Sequence, residues 1–182
     1  MGNKKWLMII VVTIILLSGC SKSDERKSLP DGTTEQRIKS LSADITEVET
    51  VGDSLKITHS KHPIANAHNW VWSFFEDAQT VLSRIDEASN NTLYRQIVFM
   101  VKLPAQDNLG HEFDQLGMKV FYDMGKLKGA NWQNMTTFDM MELPVDFEIK
   151  RLGLEYAIEY CRDGESAKYS KTFCLRVFGQ NK

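Results

Sequence analysis

Three histidines stand close together in the chain, His59, His62 and His68, and three imidazoles are enough to hold a zinc ion. Their spacing matches no zinc-ligand pattern, and Pro63 interrupts any helix that could align them. They are read as polar loop histidines, and no metal or cofactor is expected. His111-Glu112-Phe113-Asp114-Gln115 begins like the H-E-x-x-H helix of a zinc protease, but Gln115 stands where the second histidine must be. Asp139 with Glu142, and Asp146 with Glu148, place carboxylates at short spacing. Such pairs do acid–base work only when their surroundings drive their pKa values apart; on an acidic chain, exposed carboxylates are the plainer expectation. A G-x-S-x-G elbow, a phosphate-binding G-x-x-x-x-G-K-[ST] and a G-x-G-x-x-G turn are all missing from the sequence. No catalytic residue is assigned.

The elements that would have to position any such group follow from hydrophobic periodicity. Ile45, Val48 and Val51, then Leu55 and Ile57, flank a Gly52-Asp53 turn signal and predict two short strands. On a helical wheel started at Trp70, the residues Val71, Phe74, Phe75, Ala78, Val81, Leu82 and Ile85 fall within an arc of roughly 140°. Ser73, Glu76, Asp77, Thr80, Ser83, Arg84 and Glu87 take the other side, so an amphipathic helix is predicted over 69–87 with Asn66 or Asn69 as its cap. Trp72 falls outside the apolar arc, beside Glu76, Gln79 and Ser83, and is the candidate anchor for a protein partner. Leu93 to Leu103 reads as a central strand stopped by Pro104, and Met118 to Tyr122 as another.

The N-terminus carries the strongest motif. Lys4 and Lys5 precede an apolar run from Trp6 to Leu17 that ends in Leu17-Ser18-Gly19-Cys20. A positive start, a short apolar segment and a small-residue exit describe an export signal, too short to span a bilayer. The final tetrapeptide resembles the lipobox of bacterial lipoproteins. That resemblance implies cleavage before Cys20, a diacylglyceryl thioether on its sulfur and a third acyl chain on its amine. Several acyl chains hold a protein firmly at a membrane surface where one does so only marginally. In the same family the following residue steers sorting, and Ser21 implies the outer membrane, periplasmic face, over the inner. Residues 1–19 are thus expected to be a signal peptide and the polar stretch 20–43 a flexible tether. A single domain is expected over 44–182.

The whole chain has a formal net charge of −2 and becomes more acidic once Lys4 and Lys5 leave with the leader, which argues against nucleic-acid binding. With Cys20 acylated, Cys161 and Cys174 remain as an even pair in a compartment where disulfides persist, and one bridge between them is expected. Leu154, Tyr156, Ile158 and Tyr160 alternate with Glu155, Ala157, Glu159 and Cys161, while Phe173, Leu175 and Val177 alternate with Thr172, Cys174 and Arg176. Set antiparallel with the cysteines opposed, Glu159 faces Arg176 and Tyr160 faces Leu175, which predicts a disulfide-linked hairpin. The expected fold is therefore α+β, an antiparallel sheet with one long amphipathic helix packed on it. The expected role is a membrane-anchored envelope lipoprotein that binds an envelope protein partner without catalysis, in assembly, exclusion or immunity. The alternatives are an envelope hydrolase with a scattered acid and histidine site, or a carrier of a small apolar ligand.

Overall fold

Ile45–Val51 and Ser54–Ser60 form β1 and β2, an antiparallel pair whose turn places Gly52 at φ 61°. Residues with a Cβ are strained in that left-handed region. The computed structural model describes residues 28–60 and 66–180; Cys20 and the rest of the leader lie outside the described residues, as does His62. After β2 the chain forms α2 (Ala67–Leu82) and α3 (Ile85–Ala88) and then β3 (Gln96–Gln106). β3 runs parallel to β2, from Gln96 opposite Ser54 to Lys102 opposite Ser60. β4 (Glu112–Asp123) returns antiparallel on β3, and β5 (Asp146–Ile149) lies antiparallel on β4, giving the strand order β1-β2-β3-β4-β5. The sheet is mixed, which corrects the antiparallel expectation. The reason is α2 and α3: they carry the chain back to the end where β2 began, the crossover that a parallel pair requires. Pro104 does not stop β3. It lies beyond the last residue paired with β2, where a missing N–H breaks no ladder bond to that strand.

A second correction concerns the helices. The run 69–87 is not one helix, since α2 ends at Leu82 with Ser83 as its cap and α3 starts at Ile85. Trp70, Val71, Phe74, Phe75, Ala78, Val81 and Leu82 of α2 are all buried, and Asn66 caps the helix by accepting the Asn69 N–H at 2.8 Å. Other helices share the packing. Thr34–Lys39 form α1, closed by a capping box between Thr33 and Gln36, with Ile38 fully buried in the core. A 3₁₀ turn (Trp132–Asn134) leads to α4 (Thr137–Glu142), and β5 is followed by α5 (Arg151–Arg162), α6 (Gly164–Tyr169) and α7 (Lys171–Gln180). Phe74 meets Phe99 at 5.7 Å, and Phe75 meets Phe173 at 5.6 Å, so aromatic edges tie α2 to the sheet and to α7. Among the described residues no helix is long and apolar enough to cross a membrane.

The third correction is at the C-terminus, where the disulfide joins two helices and not a hairpin. Cys161 of α5 and Cys174 of α7 are bonded, with Cα atoms 5.4 Å apart. In α5 the buried residues are Gly153, Ala157, Tyr160 and Cys161, a spacing of four, three and one that belongs to a helix face. The period-two reading put Ala157 and Cys161 on the polar side; burial puts them in the core. The bridge closes a loop with a sequence separation of 13. In the chain-entropy account such a loop contributes about 3 kcal/mol. Reduction, or Cys161→Ser with Cys174→Ser, is expected to lower the urea midpoint by a corresponding amount, checked by denaturation with and without reductant.

Candidate metal centre

His59 is the penultimate residue of β2, in phase with Leu55 and Ile57, so strand alternation points it to the same side as those core residues. Its ring is 1% exposed and meets the edge of Phe74 on α2 at 5.6 Å. One helical turn of residues further along α2, Asp77 brings Oδ2 to 2.8 Å from His59 Nε2. Asp44, the residue before β1, is fixed by its carbonyl oxygen, which accepts the Ser60 N–H at 2.8 Å. Its Oδ2 lies 3.9 Å from the same Nε2. One ligand atom from each of Asp44, His59 and Asp77 lies within 4.8 Å of the others. The two carboxylates are a quarter or less exposed, at 25% and 21%, and so form the side of the cluster that water reaches.

An imidazole and two carboxylates are a mixed nitrogen and oxygen donor set, suited to zinc, manganese or ferrous iron and lacking the thiolates that favour softer ions. Donors bound to such ions at about 2.0–2.2 Å stand roughly 3 Å apart when adjacent. The gap between His59 and Asp77 is already of that size, whereas Asp44 stands 3.9 Å from Nε2 and is the donor that must move in. Two carboxylates also balance the charge of a divalent ion, which matters in a partly buried place.

The proton on His59 has a defined cost. With no metal, Nε2–H donates to Asp77 and Nδ1 is buried without a partner among the described residues. Ligation through Nε2 moves the ring proton to Nδ1, where a buried unpaired N–H costs about 1–3 kcal/mol. A bound ion would have to supply more than that cost for Nε2 to be a ligand. Metal-ligating histidines usually donate their other N–H, and losing that support weakens affinity about 10–100-fold.

The chain matches no protein-family model, no curated protein and no solved structure. Its function has to be read from its own side chains.

These geometries correct the expectation of a non-catalytic binding module: a buried histidine converges with two carboxylates into a set able to hold a metal, which suits a catalytic site better. His59 is not a loop histidine. Among the described residues, neither His68 nor His111 joins it. His68 is exposed on α2, stacked between Trp72 and Tyr160 with Nδ1 3.3 Å from Ser166 Oγ, and His111 pairs with Asp107 in the β3–β4 turn. The acid pairs are structural. Asp139 caps α4 with Thr136, Glu142 accepts the Thr172 N–H, Asp146 accepts the Phe147 N–H, and Glu148 binds Lys119 at 3.0 Å. Trp72 is half-buried: Phe138 meets it edge-on at 5.0 Å, and its Nε1 donates to Glu76 at 2.6 Å.

Beside His68, the α6 cap makes its own prediction. Asp163 Oδ2 accepts from Ser166 Oγ at 2.6 Å and from Ser166 N–H at 3.0 Å, and these bonds, the hydroxyl first, hold its carboxyl below the usual range. A depressed folded pKa means that the cap is present above the unfolded value and lost as pH falls through the folded one. Amide protection in α6 should therefore fall at acid pH, and Asp163→Asn should remove that dependence in a hydrogen-exchange series.

Proposed function

We propose that this protein is a metal-dependent hydrolase whose ion is held by Asp44, His59 and Asp77. The observation that carries the reading is the convergence of His59 Nε2 with two partly exposed carboxylates at one end of the sheet. Bound there, a divalent ion would supply Lewis acidity and a water of lowered pKa, the chemistry of metal-assisted hydrolysis. The chain's own parts have separate tasks. Phe74 and the neighbouring strands keep the His59 ring dry and fixed, while Asp77 accepts the Nε2–H hydrogen bond when the site holds no metal. Asp44, at the wetter edge, closes the third position. The leader adds a place of work: the resemblance of Leu17-Ser18-Gly19-Cys20 to a lipobox supports anchoring through acylated Cys20 in the envelope, with the outer membrane favoured by Ser21.

The detergent-solubilised protein should bind one equivalent of zinc or manganese by elemental analysis. It should hydrolyse p-nitrophenyl acetate or bis-p-nitrophenyl phosphate only when loaded. Asp44→Asn and Asp77→Asn should each cost about 100-fold or more of that activity, the scale of a lost charge-stabilising group. A loaded protein no more active than the chelated one, on both substrates, would end the hydrolase reading. Retained metal in both variants would end the assignment of ligands. Anchoring has its own check, since Cys20→Ala should abolish incorporation of labelled palmitate.

A further inference from the structure

At the opposite end of the sheet from His59, three loops enclose a second candidate site. The turn at Asp53, the approach to β3 at Thr92–Arg95 and the segment Asp123–Trp132 surround a cavity of about 810 Å³. That size lies within the range of small-molecule sites. Backbone bonds fix the loops to one another: the Arg95 N–H donates to the Asp53 carbonyl at 2.8 Å and the Met124 N–H to the Arg95 carbonyl at 3.0 Å. Leu82, Ile85 and Leu127, all at least 95% buried, give the cavity an apolar lining, with half-buried Trp132 beside them. Leu93, which also lines it, is 87% exposed and extends the apolar surface to the solvent side.

The charged lining is of both signs. Arg95 and Lys128 have no ion-pair partner among the described residues, and neither do Asp53, Asp86 and Asp123, although all five line the cavity. Arg95, Asp53 and Asp123 also border a smaller adjoining hollow. Asp123 is held by the Gly125 and Lys126 N–H groups, so an anionic head would face Asp53 and Asp86 and a cationic head Arg95 and Lys128; a head bearing both signs complements the set. Tyr94 and Trp132 are also among the lining residues, and aromatic rings attract an ammonium. We infer that this cavity binds a single-chain amphiphile with a zwitterionic head, its tail over Leu82, Ile85 and Leu127 and its head between Arg95 and Asp53. This site is separate from the Asp44–His59–Asp77 centre and does not depend on it.

Calorimetric titration of the full-length protein, held in amphipol, with n-decylphosphocholine below its micelle concentration tests the inference. Decyl maltoside, decyl sulfate and decyltrimethylammonium serve as neutral, anionic and cationic heads on the same tail. The zwitterion should saturate at one equivalent and bind tighter than all three. Arg95→Glu and Asp53→Lys, both at exposed positions that leave the fold intact, should each weaken it roughly tenfold, the scale of one charged contact. Asp77→Asn should leave it unchanged. Equal binding of the four probes, no saturable heat, or wild-type affinity in both charge variants would overturn the inference.

Discussion

Gly153→Ala is expected to destabilise the protein by about 3 kcal/mol or more, although helix propensity alone predicts the opposite sign. Glycine within a helix costs about 1 kcal/mol relative to alanine, and Gly153 sits inside α5. What overrides this is the contact beneath it. In the β3–β4 ladder, Val101 pairs with Met118 but Lys102 pairs with Leu116, so Gly117 is the extra residue of a bulge. The Gly117 carbonyl turns outward and accepts the N–H of Lys150, the residue that opens α5, at 2.8 Å. A methyl group on Gly153 would fall onto that carbonyl oxygen and within 2.5 Å of its carbon. Both are backbone atoms and neither can rotate away, so α5 would have to lift from β4 and carry Cys161 and Tyr160 with it. Urea denaturation of Gly153→Ala checks the sign. A midpoint at or above wild type would mean that the helix shifts at little cost. Gly117→Ala should be milder, because its nearest obstacle is the tip of the Leu103 side chain at 2.6 Å, which can change rotamer.

The same contact shows why period two misleads at the C-terminus. Leu154, Tyr156 and Ile158 alternate with charged or small neighbours and satisfy period two, yet the tightest contact of the segment is made by glycine, which has no hydrophobic signal. Periodicity records side chains that need covering and is silent on backbones that touch. The mixed sheet was hidden for a related reason. Runs of alternating residues mark strands, and β1, β2 and the core of β3 lie where alternation placed them, but the direction of β3 is set by the path of α2, which no pattern within β3 encodes. The buried face of α2, by contrast, was plain in its spacing.

The metal centre left two traces in the sequence. His59 continues the series Leu55, Ile57, so a titratable ring occupied a core position of a strand. Asp77, though counted with the polar side of the helix, lies seven residues after Trp70 and only about 20° from it on the wheel, at the border of the apolar arc. A carboxylate at that margin and a histidine in a buried phase each suggest an inward polar group. Nothing local says that they meet, because the pairing depends on how α2 lies across β2. Asp44 left no trace, being one of many acids in a polar stretch, and the bond of its carbonyl to Ser60 helps to place it.

His59→Leu should therefore separate stability from function more sharply than any other single change. Leucine is near histidine in volume, and the swap removes a ring whose Nδ1 is buried without a partner among the described residues, while Asp77 and Asp44 keep enough exposure to be hydrated. Without metal the variant should lie within about 1.5 kcal/mol of wild type, the range of volume-conserving core changes. With metal the two should diverge. At 100 times its dissociation constant, a ligand that binds only the folded state adds about 2.7 kcal/mol. For a chain of this length that corresponds to a rise of about 5–10 °C in Tm. Wild type should show that rise with zinc or manganese and lose it to chelator, whereas His59→Leu should show none. A wild-type Tm indifferent to both ions would reduce Asp44, His59 and Asp77 to a hydrogen-bonded support for the end of β2. A variant that keeps the full rise would place the ion elsewhere in the chain. If instead the two curves coincide without metal and part with it, the strand, the helix and the preceding loop hold His59 for the ion it binds and not for the fold.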